Sequence, residues 1–119
     1  MLAELRRLHS PDLLDLEFST PEDPENFCIL VQAMIGSKDE EGEESFDFLV
    51  CTPQWIVNHI ARNKALFGRH YLIISHYDFE IIWNAIDGRC KLANRSSWRE
   101  VGSYLNKYGH WEFDDYVDF

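Results

Sequence analysis

Histidines, cysteines and clustered carboxylates are the side chains here whose spacing could do chemistry. His9, His59, His70, His76 and His110 show no HExxH spacing and no Cys/His ligand pattern. Cys28, Cys51 and Cys90 stand 23 and 39 residues apart, an odd count without CxxC. That argues against a disulfide framework and against a structural zinc site. The thiols read as small buried hydrophobes in a reducing compartment. Cys51 with His59 or His76 could make a nucleophile–base pair only through tertiary geometry. Asp39, Glu41 and Glu43 alternate in the manner of calcium ligands, but an EF-hand needs Gly at its sixth position and Glu44 stands there. There is no GxSxG, no phosphate-cradling glycine loop and no GxGxxG. Asn94-Arg95-Ser96 matches a glycosylation acceptor by letter only. The expectation is no catalytic residues, no cofactor and no metal: not an enzyme.

Charge is more informative. The chain has 21 acidic and 11 basic side chains, a formal net of −10. Residues 1–50 hold 13 of the acids and 3 of the bases, whereas residues 51–111 have a net of +4. The last eight residues add four acids and no base. Nucleic-acid binding runs on Lys and Arg neutralising phosphates, so this distribution argues against it. It suits a basic partner, whose approach it would steer.

Elements must position these charges. Leu14, Leu16 and Phe18 alternate with Asp15 and Glu17, which fits a short strand or extended arm. Pro21 and Pro24 keep the next stretch irregular. From Phe27 to Ile35 both alternating faces are largely apolar, the mark of a central strand, with Gly36 to end it. Ser37 to Ser45 is a charged hairpin loop, and Phe46 to Val50 is the returning strand. Thr52-Pro53 reads as an N-cap and first helical residue, starting a helix that buries Trp55, Ile56 and Ile60. Gly68 breaks it, and Tyr71 to Ser75 is another strand. Asp78 caps a second helix with Phe79, Ile82, Trp83, Ile86 and Cys90 on one stripe. Ser97-Trp98-Arg99-Glu100 is a capping box opening a third, which Gly109 is placed to end. Trp111 and Phe113 alternate with acids near the C-terminus. They suit a final strand pinned by its aromatics, or an aromatic hot spot ringed by acid.

These elements predict an α+β fold: a small, mainly antiparallel sheet with about three helices packed on one face. At 119 residues, 45% of them apolar, residues 1–119 make a single domain with a real core. No apolar run reaches a membrane span, and the first residues lack a secretory signal. A cytoplasmic protein is expected.

The motifs together resemble the immunity protein 8 family of bacterial polymorphic toxin and contact-dependent growth inhibition systems. They include Leu8-His9-Ser10-Pro11-Asp12, Gln32-Ala33-Met34-Ile35-Gly36 and Glu41-Gly42-Glu43-Glu44-Ser45-Phe46-Asp47. Gly68-Arg69-His70-Tyr71-Leu72-Ile73, Tyr77-Asp78 and Ser97-Trp98 follow the same pattern. The sharpest markers are Val50-Cys51-Thr52-Pro53-x-Trp55 and the ending Trp111-Glu112-Phe113-Asp114-Asp115-Tyr116. Three residues, Val117-Asp118-Phe119, run past that ending.

The resemblance implies an immunity protein, an antitoxin that neutralises one cognate toxin domain, often a nuclease. The expected complex is 1:1 with a free monomer, and binds neither nucleic acid nor membrane. A nuclease needs a basic cleft for phosphate, which an acidic inhibitor can cover. The candidate contacts are Asp39, Glu40, Glu41, Glu43 and Glu44 in the hairpin loop, and Trp111, Asp114, Asp115 and Asp118 in the tail. The alternative is a small ligand-binding or enzymatic domain with a site between sheet and helices, using His70, His76 or Cys51.

Overall fold

Alternation of apolar side chains over Phe27 to Ile35 builds the centre of the molecule. A computed structural model describes residues 1–114 and gives the order β1 (Ala3–His9), β2 (Cys28–Ser37), β3 (Glu44–Cys51), α1 (Pro53–Asn63), β4 (Tyr71–Ile73), α2 (Phe79–Leu92), α3 (Trp98–Leu105) and β5 (His110–Trp111). The sheet runs β1-β2-β3-β4, and β5 also pairs with β3. All pairings are antiparallel except β3 with β4, which α1 joins as a crossover. The α+β expectation holds.

Phe27, Ile29, Val31, Ala33 and Ile35 are buried on one face. Phe46, Phe48 and Val50 of β3 face the same way, because the register sets Val31 against Phe48 and Ile29 against Val50. Ile82, Ile86 and Cys90 of α2, and Val101 and Leu105 of α3, cover them. The helix starts are chemically defined. Asp78 accepts from the amides of Glu80 and Ile81, and Ser97 from the amide of Glu100. Glu100 reaches back to the amide and hydroxyl of Ser96, one residue beyond the usual capping-box partner.

Several local expectations are corrected. Leu14 is in a bend and Leu16 and Phe18 in a turn, with Leu14 and Phe18 exposed and only Leu16 buried. Asp15 takes the amides of Glu17 and Phe18, which fixes a turn where alternation suggested a strand. The first strand lies earlier, at Ala3–His9. Gly36 does not end β2, which runs on through Ser37. The fourth strand stops at Ile73 rather than Ser75. Thr52 holds the N-cap position of α1, yet its hydroxyl accepts from the Phe27 amide at 3.4 Å instead of capping the helix. The third helix stops at Leu105, and Gly109 serves close approach: a Cβ there would stand 2.5 Å from the Phe48 ring.

The largest correction concerns α1. No residue of it is buried; Ile60 is 40% and Val57 61% exposed. Trp55 stacks on His59 and lies against Tyr71 instead of entering the core. No described helix is long and apolar enough to cross a membrane.

Candidate functional site

The β2–β3 hairpin puts four carboxylates on a short loop and a fifth, Glu44, at the start of β3; their self-repulsion needs a counterweight, and β1 supplies it. The β1–β2 register shifts between Leu5 and Arg7, so Arg6 is the irregular residue, and such a bulge re-aims its side chain. Its guanidinium lies under the loop and donates to the carbonyls of Ser37 (2.8 Å), Glu40 (2.7 Å) and Gly42 (2.7 Å). Its Nε is 3.4 Å from Glu4. The fit leaves no room at Gly36, where a Cβ would stand 2.2 Å from the Gly42 oxygen and 2.7 Å from Arg6 Cζ. The loop's carbonyls therefore turn inward. Asp39, Glu40 and Glu41 lie exposed, and among the described residues none of the three joins an ion pair.

Glu43 and Glu44 are placed differently. Glu43 pairs with Arg7. One oxygen of Glu44 accepts both the Trp98 indole N–H at 2.6 Å and the Trp111 indole N–H at 2.9 Å. These indoles come from α3 and β5, so Glu44 fastens the root of the loop to the helical layer. Trp111 is 8% exposed and stacks parallel on Phe46, with ring centroids 6.1 Å apart. Its backbone amide donates to Asn106. Gly102 allows this, since a Cβ there would meet the Trp111 ring at 2.5 Å. Trp111 thus packs under Glu44, and a two-residue final strand forms around it, with Phe113 beyond the strand in a turn and 38% exposed.

The two candidate patches share a root. Glu112 accepts from the Ser45 amide at 2.7 Å and donates its own amide to the Ser45 carbonyl, continuing the β3–β5 ladder. Asp114 is half-buried with its carboxylate 3.9 Å from His110 Nε2. Phe113 lies edge-on to Trp111. Asp115 and Asp118 lie outside the described residues. A cleft of about 330 Å³ opens beside the loop, lined by Glu40, Glu41, Glu43, Glu44 and Trp98 among others. Carboxylates around an indole can receive a cationic side chain; nothing in the set forms a nucleophile with a base.

Sequence reasoning missed Arg6 and the role of Trp98. A signal was present: Arg6 and Arg7 are the only bases before Lys38. They stand on a strand that an antiparallel sheet would set beside the acidic hairpin.

The alternative site fares differently. A second cleft, of about 360 Å³, is lined by His70, Arg69, Arg89, Lys107, Tyr108 and Phe48 among others. His70 Nε2 lies 2.7 Å from the Asn106 carbonyl. His76 is elsewhere, between Ser75 Oγ at 2.9 Å and Asp78 at 3.9 Å. Cys51 is buried beside Cys28. The three residues do not converge.

No curated protein and no solved structure matches the chain significantly. The family model described as immunity protein 8 matches residues 3–116, nearly the whole chain. The chain belongs to the immunity protein 8 family.

Proposed function

We propose that this protein is a stoichiometric inhibitor of one cognate toxin domain, a basic nuclease of a polymorphic toxin or contact-dependent growth inhibition system. Family membership supplies the partner class, a toxin. The observation that carries the finer reading is the outward display of Asp39, Glu40 and Glu41 on a loop whose carbonyls Arg6 holds inward. A site that grips phosphate is cationic, and such a preformed anionic surface reaches it fast and stays in register. In this reading Glu43 and Glu44 wall the cleft, Trp111 holds Glu44 in place, and Asp114, Asp115 and Asp118 extend the rim. The complex is 1:1, formed in the cytoplasm by a monomer, with no cofactor and no turnover.

Charge reversal tests this, provided that it spares Glu44, which two indoles need. The triple variant Asp39→Lys, Glu40→Lys, Glu41→Lys keeps every hydrogen bond described above, because the Glu40 contact uses its backbone carbonyl. Association with the toxin should slow by about tenfold or more at low salt, and the difference should shrink as salt screens it. Unchanged association and unchanged protection of toxin-expressing cells would move the contact elsewhere, with the uncovered face of α1 next in line.

A second reading rests on the cleft around His70, where Arg69, Arg89 and Lys107 supply cations for a small anionic ligand. His70→Ala should leave toxin protection intact and abolish ligand binding if that reading holds.

A further inference from the structure

Cys28 opens β2 and Cys51 closes β3, and the antiparallel register sets them directly opposite each other. The adjacent backbone contact defines the kind of pair. The Thr52 amide donates to the Phe27 carbonyl at 3.3 Å, so Phe27 and Thr52 are the hydrogen-bonded pair and the two cysteines a non-hydrogen-bonded one. Cα atoms in such pairs lie about 4.5 Å apart, near the short end of the roughly 4.4–6.8 Å that a disulfide spans. Both thiols are free: Cys51 is buried, and Cys28 is half-buried at a shallow groove that Glu22, Asp23 and Trp55 also line. A hydrogen bond from Cys51 holds the Cys28 thiol below its usual value, and the same bond together with burial pushes Cys51 up. One thiol is reachable and the other hidden. That is the division of labour of an attacking and a resolving cysteine.

We propose that Cys28 and Cys51 form a dithiol modification site that exchanges with small aliphatic disulfides and closes to a cross-strand disulfide. In the first step the Cys28 thiolate attacks one sulfur of the reagent. A mixed disulfide forms on Cys28, and the other half leaves as a thiolate. In the second step Cys51 loses its proton to that thiolate and attacks Cys28 Sγ, releasing the second half as a thiolate that takes a proton from water. Two electrons pass from the protein to the reagent, and two thiols are released. Asp12, Glu22 and Asp23 lie around Cys28, so a cationic disulfide is preferred to an anionic one. Because Thr52 and Pro53 follow Cys51 at once, the closed bond ties the root of α1 to β2. Cys90 takes no part: it is buried in the core and its thiol is pushed up to about 12 by burial.

The test is to incubate the folded, reduced protein with cystamine or with glutathione disulfide and to map peptides without reduction. The expected product has lost two hydrogens, links the Cys28 and Cys51 peptides, forms faster with cystamine, and reopens with excess thiol. Cys51→Ser should stop at the mixed disulfide on Cys28. Arrest of the wild-type protein at that stage would overturn the proposal, as would labelling of Cys90 first. Reaction only after denaturation would overturn it too. The wild-type peptide map decides even if the variant fails to fold.

Discussion

Replacing Arg6 by Met should loosen the acidic loop while leaving every loop carboxylate in place, although the contact with Glu4 is lost as well. The guanidinium makes three charge-assisted bonds to loop carbonyls, but they are unequal. The Ser37 contact is part-buried, whereas the Glu40 and Gly42 contacts are exposed and water can replace them. We assign about 1.5 kcal/mol to the first and about 0.5 kcal/mol to each of the others, together about 2.5 kcal/mol. That is roughly a 60-fold shift in the loop's opening equilibrium. Hydrogen exchange reads it directly at two amides that the folded loop protects, Lys38 to Leu2 at 2.9 Å and Glu40 to Ser37 at 3.2 Å. Urea unfolding reads the global share. Arg6→Lys keeps the charge yet cannot span three carbonyls, so it should recover less than half of the loss. Exchange and unfolding changes both below about 0.5 kcal/mol for Arg6→Met would refute the claim that Arg6 sets the loop's shape.

Two further outcomes are expected. Ile82→Ala, at a fully buried position of α2, should cost about 2–5 kcal/mol in urea unfolding, whereas Ile60→Ala on α1 should cost less than about 1 kcal/mol; equal costs would show that α1 is packed after all. Burial pushes Cys90 and Tyr77 each up to about 12. Their unfolded counterparts lose protons first, so stability should be full below about pH 9 and fall as pH rises toward 12. Cys90→Ala should flatten that decline in alkaline unfolding titrations, and an unchanged slope would remove Cys90 as a cause.

Local chemistry made much of the fold legible. The two-sided apolar pattern of β2, the polar hairpin and the caps at Asp78 and Ser97 each carry their structural cause within a few residues. The first strand was hidden because the bulge at Arg6 breaks its alternation: Leu5 and Leu8 are three apart and not two. For α1 the apolar side was readable, but amphipathicity names a face and does not say whether anything covers it. At the site, the acidic loop stood out by composition. Its organisation did not, because Arg6, Trp98 and Trp111 reach it from 31 to 67 residues away.

We propose that this member of the immunity protein 8 family binds one toxin domain tightly through its acidic hairpin surface. Calorimetric titration against the C-terminal domain of the large polypeptide encoded immediately upstream tests it most directly. A saturable 1:1 isotherm with Kd at or below roughly 10⁻⁸ M, about −11 kcal/mol, is expected, together with competition by the toxin's substrate. No heat of binding at several temperatures, with both proteins folded, would contradict it.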